Sequence, residues 1–188
     1  MLYLVKKNNM SRIGKLPIKI PADLVIEYKS PNLKVKGKFG ELAEIIPDSM
    51  DIIQKDGFLT ISPKFKNRTT LALHGLYRSL INNMVIGVSQ QFKIVLILKG
   101  VGYRASVNNQ TLSLNLGYSH SVELTIPKNI KIVVIKNTTI ELESSNKQEL
   151  GLFASTIRAW RPPEPYKGKG ILYFGEIIKR KAGKSGKK

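Results

Sequence analysis

Apolar and polar residues alternate with a period of two along much of the first third of the chain. That spacing puts every second side chain on one face of a strand. Residues 25–28 and 33–36 read as strands on either side of Ser30-Pro31-Asn32, where proline and asparagine preset a turn. Residues 41–46 read as a third strand. Residues 52–55 and 58–62 flank Asp56-Gly57, a strong hairpin signal, because a type I′ turn needs positive φ at both central positions. The period then changes. Leu73, Leu76, Tyr77, Leu80, Ile81 and Met84 fall on one face of an amphipathic helix that begins near residues 67–70. Residues 86–91 read as a linker.

The second half repeats the order. Residues 93–98, 103–107, 111–116, 122–126, 132–135 and 139–143 read as strands, with Asn108-Asn109 turning between the second and third. A second helix is expected over 145–160. Its capping box would be Ser145 with Gln148, and its buried stripe Leu150, Phe153, Ala154 and Ile157. An offset of about 80 residues superposes the halves. It pairs Gly37 with Gly117, Ile46 with Ile126, Pro47 with Pro127, Ile52 with Ile132, Leu73 with Phe153, Tyr77 with Ile157 and Arg78 with Arg158. The expected fold is α+β: two tandem similar domains, each a small antiparallel sheet assembly packed with one helix, plus an extended basic C-terminal tail. The expected divisions are a basic arm over 1–16, a first domain over 17–85, the linker over 86–91, a second domain over 92–161 and a strap over 162–188.

Charge alters this picture most. Thirty-one Lys and Arg against 13 Asp and Glu give a net charge of +18, which favours a polyanionic partner. The absence of cysteine excludes disulfides, Cys-type zinc sites and thiol catalysis. No apolar run reaches the roughly 18 residues of a membrane helix, and neither helix pattern has the continuous basic face of a membrane-surface helix. Residues 1–9 are too short for a secretory signal and lack the Arg and Ser of a transit peptide; Met10 is an alternative start. The expectation is work in the compartment of synthesis.

Few residues suggest catalysis. Gly183-Lys184-Ser185 resembles the end of a phosphate loop, but Ile178 stands where the motif requires glycine. His74, on the polar side of the first helix, and His120, in a turn, are not expected to meet, and a metal site needs three or four ligands. The acids show no pair placed for proton transfer, so neither enzyme activity, a metal nor a cofactor is expected.

The C-terminal stretch is more specific. Pro162 stops the second helix, and Pro162, Pro163 and Pro165 hold the chain extended. Gly168 and Gly170 then let the backbone bend close to another surface. Residues 161–188 hold nine Lys or Arg against two acids. Arginine can fork to a phosphate with two parallel hydrogen bonds, and lysine neutralises phosphate as a point charge. The candidate RNA-binding residues are Arg104, Arg158, Arg161, Tyr166, Lys167, Gly168, Lys169, Gly170, Lys179, Arg180, Lys181, Lys184, Lys187 and Lys188. Trp160 and Phe174 are expected to pack against the second domain. Lys99-Gly100-Val101-Gly102-Tyr103-Arg104 reads either as a loop presenting Tyr103 and Arg104 to RNA or as a kink within the sheet. Lys6, Lys7, Arg12, Lys15 and Lys19 make a basic N-terminal arm.

Four separated stretches, in order, resemble one family. They are Ser11-Arg12-Ile13-Gly14-Lys15 with Pro17–Pro21, Gly100-Val101-Gly102-Tyr103-Arg104-Ala105, Leu116-Gly117-Tyr118-Ser119-His120, and Arg161-Pro162-Pro163-Glu164-Pro165-Tyr166-Lys167-Gly168-Lys169-Gly170 with the basic terminus. Together they resemble the L6 family of large-subunit ribosomal proteins. The resemblance implies two α+β domains, large-subunit rRNA and neighbouring ribosomal proteins as partners, and a place at the base of the flexible stalk near the elongation-factor site and the sarcin–ricin loop. Heavy use of Ile, Lys and Asn, with Leu80–Gly87 and Gly170–Tyr173, resembles plastid-encoded members, so the ribosome of a plastid is expected; a mitochondrion or an AT-rich bacterium is the alternative. A free nucleic-acid-binding protein would instead bind generic duplexes tightly, and an enzyme at Gly183–Ser185 would bind nucleotide.

Overall fold

A computed structural model of the chain describes residues 13–65 and 67–183. The chain divides into two compact units, Met1–Gln91 and Phe92–Lys188. In the first, β1 (Ile18–Lys19), β6 (Phe58–Pro63) and β5 (Met50–Lys55) form one antiparallel sheet in the order β1-β6-β5. β2 (Val25–Lys29), β3 (Asn32–Gly37) and β4 (Gly40–Ile45) form a second in chain order. Helix α1 (Arg68–Gln90) contributes Ile81, Met84, Val85 and Val88 to a core with Leu33, Val35, Leu59 and Ile61. Asp56 and Gly57 both take positive φ, 50° and 77°, as the hairpin signal requires.

In the second unit β7 (Phe92–Lys99), β8 (Arg104–Asn108), β9 (Thr111–Asn115), β10 (Val122–Thr125), β11 (Lys131–Ile135) and β12 (Thr139–Ser144) precede α2 (Lys147–Trp160), and β13 (Gly170–Tyr173) follows it. The sheets are β10-β9-β8 and β11-β12-β7-β13. Leu150, Phe153, Ala154 and Ile157 form the buried stripe of α2, as the periodicity predicts. The fold is therefore α+β with two similar halves. The order β1-β6-β5 in the first unit corresponds to β7-β12-β11 in the second. The repeat extends to single bonds. The Met50 N–H donates to the Pro47 carbonyl and the Ile130 N–H to that of Pro127, each at 3.0 Å.

Several local expectations are corrected. Helix α1 runs through Gln90, across the residues read as a linker, because Val85 and Val88 are core residues and their burial outweighs the local glycine. Of its expected face, Ile81 and Met84 are buried and Leu73 and Tyr77 pack against the core, but Leu76 is exposed, and Thr70 and His74 are buried as well. Both are polar residues with partners: the Thr70 hydroxyl donates to the Phe65 carbonyl at 2.6 Å, and His74 Nε2 lies 2.8 Å from the Ile61 carbonyl oxygen. His74 is thus not on the polar side. In α2 the cap is Asn146, whose Oδ1 accepts from the Gln148 and Glu149 N–H groups at 3.0 and 3.3 Å; Ser145 does not serve. The β8–β9 turn is Asn109-Gln110, since Asn108 pairs with Thr111.

The largest correction concerns the tail. Gly170–Tyr173 is a strand on the edge of the second unit's main sheet, with Ile171 opposite Leu98 and Leu172 opposite Ile97. Ile171 is fully buried, so the second core continues past α2. Replacing Ile171 with Ala should lower the unfolding free energy of this unit by roughly 2–5 kcal/mol. The same change at Ile177, 93% exposed, should alter it by less than about 0.5 kcal/mol. Denaturant unfolding of both variants checks this; equal midpoints would remove β13 from the core.

Candidate rRNA-binding surface

The surface is organised on Arg161, the residue that ends α2. Pro162 and Pro163 follow and cannot continue the helix, so Arg161 leaves the helix with an extended φ of −148°. Its Nε donates to the Tyr103 hydroxyl at 3.1 Å, and its guanidinium lies 5.3 Å from the centre of the Tyr118 ring. The Tyr118 hydroxyl in turn donates to the Trp160 carbonyl at 2.6 Å. Interactions with Tyr118 first, and Tyr103 second, raise the pKa of the guanidinium above its ordinary value. Three of the four motifs therefore meet at one side chain. Tyr103 belongs to the second, Tyr118 to the third and Arg161 to the fourth.

Beyond Arg161 the chain closes on itself. The Ile171 N–H donates to the Arg161 carbonyl at 2.8 Å, and the Glu164 N–H to that of Lys169 at 2.9 Å. Gly170 adopts φ 138°, and a Cβ there would lie 2.6 Å from Pro163 Cα and 2.7 Å from the Pro162 carbonyl oxygen. Its lack of a side chain serves this intramolecular closure. Gly168, φ 71°, is buried with the Arg180 guanidinium alongside. The returning tail is tied by the Lys181 N–H, which donates to the Pro165 carbonyl at 2.9 Å. The expected extended strap is, over residues 161–181, a cross-linked loop.

A second clasp holds the tail. Arg158 Nη2 lies 2.6 Å from Glu176 Oε1, and Glu176 Oε2 accepts the Tyr173 N–H at 3.0 Å. The Arg158 guanidinium also stacks 5.3 Å from the Tyr173 ring centre. Glu176 faces Arg158 across the turn Tyr173–Glu176, which Gly175 permits with φ 79°.

The candidate residues thus divide by role. Lys167, Lys169, Lys179, Arg180 and Lys181 are exposed, as are Tyr166 and Arg104. Arg158 is tied to an acid, and Arg161 is held between two tyrosines. Gly168 and Gly170 shape the loop. Lys184, Lys187 and Lys188 lie outside the described residues, as do the Gly183–Ser185 motif beyond Gly183 and most of the N-terminal arm. Tyr103 is 7% exposed and is a support, not a presented ring. Trp160, 43% exposed, and Phe174, 75% exposed, stand at the surface, contrary to the expected burial. Sequence reasoning assigned no role to Tyr118; its signal is its place in a motif beside a glycine of positive φ, Gly117 at 78°. Among the described residues no group of three or more His, Cys, Asp or Glu side chains is placed to hold a metal.

The fold and this surface define a duplicated α+β protein that carries a folded basic loop. The chain belongs to the ribosomal protein L6 family, whose model, described as Ribosomal protein L6, matches residues 20–91 and 99–174, one segment in each unit. It is 64% identical over 179 residues to the large ribosomal subunit protein uL6c of Trieres chinensis, covering 95% of this chain and 100% of the relative. It is 49% identical to uL6c of Arabidopsis thaliana, over 95% of this chain and 80% of that one, and 46% identical to uL6 of Trichodesmium erythraeum, over 95% and 100%. The protein is a structural constituent of the large ribosomal subunit, acts in translation and works in the ribosome of the plastid.

The clasp is testable without RNA. Arg158→Ala removes the ion partner of Glu176, which keeps only the Tyr173 N–H, and should cost about 1–2 kcal/mol of stability. Lys179→Ala, on an exposed side chain, should be neutral within about 0.5 kcal/mol. Thermal unfolding of the two variants side by side makes the check, and equal losses would contradict the assigned roles.

Proposed function

We propose that the protein binds large-subunit rRNA mainly through the loop of residues 161–181 in its second unit. The observation that carries this reading is the division of charge. Arg158 and Arg161 are engaged by other side chains and shape the loop, while Lys167, Lys169, Lys179, Arg180 and Lys181 are exposed with no ion pair among the described residues. A loop of fixed shape lined with free cations suits folded RNA, whose phosphates and 2′-hydroxyls are recognised chiefly by shape. Binding is then electrostatic clamping without chemistry, and preorganisation limits the entropy lost on binding. The base of the flexible stalk, near the elongation-factor site, and neighbouring large-subunit proteins are the proposed surroundings; the family resemblance of the motifs supports them.

Each phosphate neutralised contributes roughly 0.7–0.9 to the slope of log affinity against log salt. Replacing Lys167 and Lys169 together with Ala should lower that slope by about one to two units and weaken binding to an rRNA fragment. Titrations of wild type and variant over a salt series read both quantities. Unchanged affinity and slope would move the anchor away from this loop.

A further inference from the structure

The outer face of β8 and β9 carries polar groups of a different kind. Ala105, Leu112 and Leu114 point into the core, so strand alternation puts Arg104, Ser106, Ser113 and Asn115 on the opposite face. The register sets Arg104 opposite Asn115 and Ser106 opposite Ser113; Glu123 of β10 is also opposite Ser113. Two adjacent rows result, two residues apart along the strand, or roughly 7 Å. One row offers a guanidinium and an amide. The other offers two hydroxyls and, at its far end, a carboxylate.

Several charges on other sheet faces are paired. Lys34 and Lys36 reach Glu41 across β3 and β4, Lys36 also reaches Glu27, and Lys93 lies 2.7 Å from Glu141. In contrast, the side chains of Arg104, Ser106, Ser113 and Asn115 have no hydrogen bond or ion pair among the described residues. They line a recess of about 170 Å³. No aromatic ring borders it, so it offers no platform for a base. Short side chains leave a surface that a backbone can approach. Arg104 follows Tyr103, the hydrogen-bond partner of Arg161.

We propose that this recess is a ribose–phosphate site, in which Arg104 with Asn115 takes a phosphate and Ser106 with Ser113 takes the 2′-hydroxyl of a duplex RNA strand. The inference rests on the rRNA-binding reading above and adds a discrimination to it. Guanidinium forks to phosphate oxygens. A hydroxyl both donates and accepts, as does the 2′-hydroxyl, and that group distinguishes RNA from DNA. Glu123 keeps phosphate from the serine row by like-charge repulsion, so the strand lies in one orientation.

The test uses the full chain with an rRNA duplex fragment and the same sequence as DNA. Arg104→Gln should lower the salt slope for RNA by roughly 0.7–0.9. The double change Ser106→Ala and Ser113→Ala should leave that slope unchanged and reduce the RNA-over-DNA preference several-fold. All three positions are surface-facing, and circular dichroism confirms the fold of each variant. An unchanged slope for Arg104→Gln, or an unchanged RNA-over-DNA ratio for the serine pair, overturns the site. If those variants match wild type while Lys167→Ala with Lys169→Ala loses affinity, the recess is dismissed and the loop reading stands. Full binding by the lysine variant, with losses at Arg104 and the serines, supports the recess and dismisses the loop.

Discussion

The Arg161 side chain, set between Tyr103 and Tyr118, is the interaction on which the basic surface depends. It joins the end of α2 to the start of β8 and to the loop after β9. Its carbonyl receives the Ile171 N–H, which starts β13. One residue therefore terminates a helix, gathers two distant motifs and launches the last strand. Arginine suits the position where lysine would not, because its planar guanidinium can stack on one ring while its Nε donates to a second group. The prolines that follow keep the chain out of the helix, and Gly170 lets it return within contact of them.

The duplication explains how such a surface arises from a plain scaffold. Both units use one helix over antiparallel strands, and the turns at Pro47 and Pro127 are alike in hydrogen bonding. The paired arginines of the helices have diverged in partner but not in task. Arg78 Nε donates to the Leu16 carbonyl in the segment before the first unit's strands, at 3.2 Å. Arg158 pairs with Glu176 in the segment after the second unit's helix. Each ties a terminal segment to its own helix. The second unit adds a strand, β13, and that addition turns a tail into a fixed loop.

Strands and helices were legible in the sequence where burial follows local periodicity. The alternation in β3 and β9, the Asp56-Gly57 turn and the stripe of α2 needed no distant information. The full extent of the buried face of α1 was not legible, because Thr70 and His74 are polar by type and buried by virtue of the Phe65 and Ile61 carbonyls. β13 was not legible either: four residues after a run of prolines and glycines carry no period, and their partner strand lies some 70 residues earlier. At the site, the motifs named the right stretches but not the roles. Whether an arginine is free or engaged depends on Glu176, Tyr103 or Tyr118, and no local pattern reports those partners.

The central claim is that the basic loop is folded before RNA is present. Amide hydrogen exchange in the free protein tests it most directly, because it reads individual N–H groups. The Glu164, Ile171 and Lys181 N–H groups donate to Lys169, Arg161 and Pro165. The account predicts that all three exchange far more slowly than an unstructured chain, with Ile171 approaching the protection of the core strands. Exchange of Glu164 and Lys181 at unstructured rates in the free protein, with protection appearing only when RNA is added, would contradict it.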